Sequence, residues 1–368
     1  MSRFIFTSES VSEGHPDKVC DFISDSILDA YLAQDPRSRV ACETLCKSGV
    51  VVVAGEITSR GTVDHEAVAR QAIREIGYTD PAEDFNADGV KVYQFLTTQS
   101  PNIAQGVNVE TSQSHDQGAG DQGMMMGYAT DESPEMMPLP ILLAHGLTRG
   151  MAEDRRKGNP AWLRPDAKSQ VSVAYQNGKP VEVTHVLVST QHAADAEQQV
   201  IKEYVAKSLA PRILGHWFKP SIKIDVNPTG SFAIGGPTAD AGLTGRKIIV
   251  DTYGGIARHG GGAFSGKDPS KVDRSGAYFC RFVARQLVKA GLAKRAEVNV
   301  AYAIGLAQPT AVKVETFGTG DDDQAAEFVK KFDFRPAAII ERLNLLQPIY
   351  RKTTNYGHFG KAGLPWEE

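Results

Sequence analysis

The chain predicts an α+β protein built in mixed layers rather than a doubly wound parallel sheet. Strand patterns that pair as hairpins, amphipathic helical runs set between them, and a length of 368 residues carry that prediction. At roughly 100 to 200 residues per domain, such a length suits two or three domains better than one core. With 41% hydrophobic and 23% charged residues, the composition is that of an ordinary soluble globular protein. A net charge of −4 argues against nucleic acid or an anionic membrane as the main partner, so a phosphate ligand must be met by a local cluster of cations. The apolar run at the N-terminus is too short for a signal peptide and no stretch approaches a membrane span, which makes the cytoplasm the expected location.

Taken in order, the first helix opens at Gly14-His15-Pro16-Asp17-Lys18. Pro16 suits the first helical position, and Val19, Phe22, Ile23, Ile27, Ala30 and Tyr31 recur at three- and four-residue spacing to make one apolar face. Asp21, Asp25 and Asp29 continue an i, i+4 stripe from Asp17 and are expected on a solvated face. Asp17 itself stands beside His15 at the helix mouth, where an anion or a metal can be met. Residues 40–46 and 50–58 read as two strands about a Lys47-Ser48-Gly49 turn, with Glu43 and Glu56 interrupting apolar or β-branched arms. A carboxylate in such a place faces outward, or is buried and needs a cation. A helix over 64–76 stops at Gly77, and a third strand covers 90–96. Residues 97–123 are rich in Gly, Ser, Asn and Gln and poor in apolar periodicity, which suggests a lid closing over a site.

An apolar helical run over 140–152 follows. Val171, Val173 and Tyr175 alternate before Asn177-Gly178, and the alternation resumed over 181–190 predicts a hairpin with Lys168 at a strand's entrance. Residues 195–209 predict another amphipathic helix, 221–226 a strand and Pro228-Thr229-Gly230 a turn. Strands over 297–304 and 309–317 and an apolar helix over 337–346 complete the pattern. Cys20, Cys42, Cys46 and Cys280 are too few and too scattered for a disulfide framework or a zinc site, so buried reduced thiols are expected. Met124 to Met126 and Met136-Met137 read as core filler.

The most informative stretch runs over 254–275. Six of its first thirteen residues are glycine, and such a backbone can bend through positive φ and bring its N–H groups close to an anion. Residues 247–253 read as the strand before it, headed by Arg246-Lys247. Asp268-Pro269 reads as an N-cap and first-turn proline opening a helix with Ala277, Phe279, Phe282, Val283 and Leu287 among its apolar positions. Lys267, Lys271 and Arg274 can meet phosphate oxygens here, and one of Asp268 and Asp273 can carry a divalent metal. Gly261 to Lys267 fits G-x-x-x-x-G-K, but Asp268 stands where a P-loop needs Ser or Thr, so a P-loop NTPase is rejected.

Collected, the candidate groups are Lys168, Arg246, Lys247, Lys267 and Lys271 as cations, Asp17 and Asp273 for a metal, and His15. No G-x-S-x-G elbow, HExxH motif or kinase signature accompanies them. A site rich in leaving-group stabilisation without a marked nucleophile or base suits a substrate that brings its own nucleophile. A thioether sulfur does so, and has no proton to lose. Five stretches are specific: GHPDK at 14–18, GAGDQG at 118–123, RPDAKSQ at 164–170, DAGLTGRKIIVDTYGG at 240–255 and GGGAFSGKDPSKVDRS at 260–275. With these in order, and a likeness running from Phe4 to the PWEE end, the chain resembles the S-adenosylmethionine synthetase family, the methionine adenosyltransferases.

That resemblance implies three similar α/β domains with pseudo-threefold symmetry, mixed sheets with helices on one face, over 1–101, 114–231 and 233–368, interleaved in space. It implies a mobile active-site loop over 99–120 and a homodimer or homotetramer with active sites between subunits. The substrates would be ATP and L-methionine, with two Mg²⁺ and one K⁺ and no nucleic acid or membrane partner. Methionine sulfur would attack C5′ of ATP, and the expelled triphosphate would be hydrolysed to pyrophosphate and phosphate. By the same likeness His15, Lys168, Arg246, Lys247, Lys267 and Asp121 would be catalytic. ATP would be held by His15, Asp166, Lys168, Ser231, Phe232, Asp240, Arg246, Lys247, Ala263 and Lys267. Methionine would meet Glu56, Gln99, Asp240, Lys271 and Ile304, while Asp17 and Asp273 would carry Mg²⁺ and Glu43 K⁺. Two positions depart from the family pattern: Ser231 stands where an arginine is usual, and Ala239 where a glycine is. The alternative activity is an ATP-dependent phosphotransferase or ligase that activates a carboxylate.

Overall fold

The computed structural model describes residues 3–98 and 116–368. Its strands form three sheets among those residues, in the orders β1-β6-β7-β8, β4-β3-β2-β9 and β11-β10-β5. The first is built from β1 (Arg3–Val11), β6 (Leu163–Gln176), β7 (Lys179–His192) and β8 (Lys223–Val226). The second holds β2 (Arg39–Lys47), β3 (Val50–Thr58), β4 (Lys91–Thr97) and the two-residue β9 (Gly242–Leu243). The third holds β5 (Gly123–Thr130), β10 (Arg295–Tyr302) and β11 (Ala311–Glu315). Neighbours pair antiparallel except β3 with β4 and β7 with β8, so the mixed layers read from the hairpin pattern are found. Each sheet takes a strand from a distant part of the chain: β1 pairs with β6, β2 with β9 and β5 with β10.

The β6–β7 hairpin turns at Asn177 and Gly178, whose φ of 54° and 77° are those of a type I′ turn. Because β6 starts at Leu163, Lys168 is not at a strand entrance but in mid-strand, level with Val11 on one side and Ser189 on the other. The π-helical turn Val205–Leu209 carries the predicted amphipathic helix past its expected end: α4 (Gln198–Tyr204) leads into that turn and then into a helical segment, Ala210–Leu214. One apolar core packs α3 (Leu139–Arg156) and the α4 region against β6 and β7. A larger one gathers α1 (Pro16–Leu32), α2 (His65–Ile76), α5 (Val272–Lys289), α6 (Asp322–Val329) and α7 (Pro336–Arg342) with the other two sheets.

The sequence reading of α1 is right about its start and wrong about its polar side. His15 is the N-cap and Pro16 the first helical residue. Asp21, Asp25 and Asp29, however, are 0%, 0% and 7% exposed. The helix is enclosed by β2, α2, β9 and the Tyr350–Lys352 turn, so it has no solvated face, and each carboxylate is met by partners from elsewhere. Asp21 takes Lys18 and the Gly245 N–H, Asp25 takes Arg274 and the Gly266 N–H, and Asp29 takes the N–H groups of Tyr350 and Arg351.

Two further expectations fail for the same reason, long-range pairing overriding local preference. The β-branched run over 247–253 is not a strand but a helical turn, Ile248–Asp251, because Asp251 is buried in an ion pair with Lys18 at 2.6 Å. The helix expected at Asp268 opens three residues later, at Val272 with Lys271 as N-cap. Asp268 is instead spent on the N–H groups of Val40 and Ser270 and on the Lys271 ammonium. Met125 and Met137 are core residues as expected, whereas Met124 is 54% exposed. All four cysteines are free and buried.

Candidate active site

The N-terminus of α1 collects the first group of predicted residues. Ser12, in the link from β1, donates its hydroxyl to Pro165 O at 2.6 Å and accepts the Ala167 N–H at 2.8 Å, which stitches the helix mouth onto β6 next to Lys168. Gly14 is required there, since a Cβ would meet the Pro165 backbone at 2.4 Å. His15 Nδ1 accepts the Asp17 N–H at 3.1 Å. Asp17, 2% exposed, accepts the Leu243 N–H at 3.0 Å and the Lys247 ammonium at 2.6 Å, with Arg246 Nε at 3.7 Å. Burial pushes the Asp17 carboxyl up, but the Lys247 and Leu243 hydrogen bonds outweigh it and hold the group below its ordinary value. Asp166 and Phe232 complete this group: Asp166 Oδ2 accepts the Gly236 N–H at 2.8 Å, and burial raises this carboxyl to about 6. Asp240 lies close enough to contribute to that rise, and both it and Ser231 are exposed.

His15 is the most perturbed member. Burial, then the positive charges of Lys247 and Lys168, lower its imidazole to about 3. It is therefore neutral at pH 7, and since Nδ1 accepts a backbone N–H, the proton sits on Nε2. The site thus holds a hydrogen-bond donor without a charge that titrates near neutrality. In the ligand-free protein the His15 ring signal, assigned by its loss in His15→Gln, is expected to stay unchanged from about pH 5 to 8 in an NMR titration. A midpoint near 6.5 would show that the ring is not held neutral.

The second group surrounds the glycine-rich loop. Lys267 Nζ donates to Asp273 Oδ2 at 2.6 Å and Lys271 Nζ to Asp268 Oδ2 at 2.5 Å. A Cβ on Gly262 would lie 2.3 Å from Asp273 Oδ1, so the loop rests directly on this carboxylate. Ala119 bridges Ile304, and a Cβ on Gly120 would meet Ser270 O at 3.1 Å, which brings the Asp121 segment and Ile304 to the same side. Ala41 on β2 bridges Lys267 and pairs on its other side with Glu56. Glu43, two residues along, shares that exposed sheet face. Gln99 lies outside the described residues, as does most of the 99–120 segment. Arg274 does not belong here: it is fully buried against Asp25 and cannot meet a phosphate. Asp268 is 1% exposed and committed to Val40, Ser270 and Lys271, so of the two aspartates Asp273 is the one left for a ligand.

No side chain of the first group bonds to one of the second among the described residues, although Gly245 and Ala263 lie against each other. Lys267 is anchored at Ala41 and Leu243 at Leu45. Those anchors are four residue steps apart along β2, roughly 14 Å at the usual rise of a strand.

Three family models match in succession: S-adenosylmethionine synthetase N-terminal domain over 3–101, central domain over 116–232 and C-terminal domain over 234–368. An S-adenosylmethionine synthase of Akkermansia muciniphila is 55% identical over 99% of this chain and 95% of its own length. The chain belongs to the S-adenosylmethionine synthetase family. Another synthase, from Sorangium cellulosum, is 54% identical over 100% of this chain and 88% of its own. Family membership accounts for the three similar α/β domains and for their mixed sheets. Among the described residues, no helix is long and apolar enough to cross a membrane, and no three carboxylate, histidine or cysteine side chains cluster as a protein-only metal cage. Asp17 and Asp273 each set one carboxylate against a lysine ammonium, a donor set compatible with Mg²⁺, which is commonly held by one or two carboxylates with water and phosphate oxygens in the remaining positions.

Sequence reasoning misread Asp21, Asp25 and Asp29 of α1 as solvated and missed Asp251, Gln191 and His192. For the buried aspartates a signal was present: apart from Lys18, the positions of α1 between its acids are apolar or small, which is the pattern of a helix enclosed on all sides.

Proposed function

We propose that this protein makes S-adenosylmethionine from ATP and L-methionine, with methionine sulfur displacing triphosphate from C5′, and hydrolyses the triphosphate to pyrophosphate and phosphate. One observation carries the chemistry. Lys247 and Arg246 close on the buried Asp17 carboxylate, and Lys168 lies near enough to help hold His15 neutral, so three cations gather around one helix mouth. Displacement at C5′ moves negative charge onto the triphosphate, and pre-placed cations act where that charge develops, often the largest catalytic contribution. Neutral His15 donates from Nε2 to a leaving-group oxygen without having to transfer its proton. Sulfur needs no base, and the sulfonium formed is stabilised by carboxylates such as Asp121. Asp17 and Asp273 would hold Mg²⁺, which supplies charge neutralisation at the phosphates, and Glu43 would hold K⁺. Mass spectrometry of products from ATP, methionine, Mg²⁺ and K⁺ tests the reading: adenosylated sulfur supports it, and a phosphorylated or adenylylated carboxylate supports the ligase alternative.

The separation of the two groups along β2 supports active sites completed between two copies of the chain. Leu45, Tyr93 and Phe95 leave an apolar face on the β2–β3–β4 sheet for a second copy. Mixed assemblies of Asp17→Asn and Asp273→Asn chains decide this. If each site takes one group from each subunit, a mixed dimer holds one intact site, and random remixing recovers about one quarter of wild-type activity. If both groups serve one site within a chain, remixing recovers none.

A further inference from the structure

We infer that His192, with Gln191 beside it, is a positioning residue for the nucleotide base, fixing the backbone that presents Phe232. The inference rests on reading Phe232, one of the residues that the family likeness gives to ATP, as the ring that stacks on adenine. Residues 231–235 belong to no helix or strand, and Ser231 and Ile234 are exposed, so the segment has no ladder of its own to hold it. What holds it comes from the end of β7. His192 is 2% exposed, and its Nδ1–H donates to Ala193 O at 2.8 Å, which leaves Nε2 as a bare acceptor. Nε2 takes the Phe232 N–H at 2.9 Å and the Gln198 side-chain amide at 3.0 Å. The His192 N–H in turn donates to Phe232 O at 3.1 Å, so both backbone groups of Phe232 are bound to one residue.

Gln191, 1% exposed, continues the clamp: its side-chain amide donates to Ala233 O at 3.2 Å and accepts the Asp166 N–H at 3.3 Å. Asp166 closes it through the Gly236 N–H. Phe232 and the phosphate-side residues near Asp166 are thereby referred to one rigid strand end. Removing the His192 acceptor leaves the part-buried Phe232 N–H without its partner, and the ring plane loses its reference. The His192 ring itself bonds only to Ala193, Gln198 and Phe232, whereas the tie to Asp166 runs through Gln191, so the effect of changing His192 should be confined to the base.

The test uses the full-length enzyme. His192→Ala is expected to raise KM for ATP roughly tenfold, with KM for methionine moving less than about twofold. Binding of tripolyphosphate, which has no base, should be unchanged. His192→Gln, whose Oε1 can reach the same N–H, should recover most of the loss, while the shorter His192→Asn should not. If His192→Ala does not fold, the Gln and Asn variants make the comparison. Equal rises for ATP and methionine, or equal weakening of tripolyphosphate, would reduce His192 to a general structural role. Phe232→Ala separates the two layers of the argument. An unchanged KM for ATP in that variant sinks the stacking reading itself, and a raised KM there with a silent His192→Ala sinks only the clamp.

Discussion

Arg274→Met is expected to destabilise the protein by about 3–5 kcal/mol, the range for breaking a buried ion pair by removing one partner. Arg274 and Asp25 are both 0% exposed, with the guanidinium donating to the two carboxylate oxygens at 2.7 and 2.9 Å. Arg274 also sits 4.2 Å over the Tyr350 ring and bonds to the Tyr278 and Thr353 hydroxyls. Without it, Asp25 keeps the Gly266 N–H and the Thr354 hydroxyl but has no countercharge. The shift in urea midpoint measures the loss. A second variant checks the cause: Asp25→Leu with Arg274→Met removes both charges and should recover much of the stability. A double variant as unstable as the sum of the singles would mean the two residues contribute independently.

Asp17→Asn is expected to lower product formation at least ~100-fold at saturating substrates, by analogy with the loss of one preorganised electrostatic group. The amide can still accept the Leu243 N–H, so the helix mouth keeps its shape. What is lost is the charge that holds Lys247 at 2.6 Å and the oxygen that would meet Mg²⁺. Raising Mg²⁺ should restore part of the rate if the lost oxygen is a metal ligand. Near-normal turnover in the variant would remove Asp17 from the site. Lys168→Ala should fall comparably, and because this side chain is exposed, its stability should hardly move.

The predicted chemistry was legible because its residues crowd into short runs. GHPDK states a helix start, a proline at the first position and two polar groups at the mouth, and α1 begins where that pattern says. Asn177-Gly178 located its hairpin for a similarly local reason. What the short motifs do not announce is the identity of a partner far away in sequence. Asp25 looks like a solvated acid until Arg274, 249 residues later, is folded beside it. Residues 247–253 look like a strand until Asp251 is fixed to Lys18. The division of the cations into two groups follows from β2 bridging Lys267 at one end and pairing with β9 near the other, which no motif announces.

The exchange of strands among the sheets bears on synthesis at the ribosome. β1 emerges first and must stay unpaired until β6, ending at Gln176, has followed it out of the tunnel. β5 waits still longer, since its neighbour β10 ends at Tyr302. The nascent chain therefore carries open strand edges through most of translation, a slow and exposed route that invites chaperone capture. Cutting the gene into three would not release three autonomous modules, because every piece would be short of a strand that another supplies.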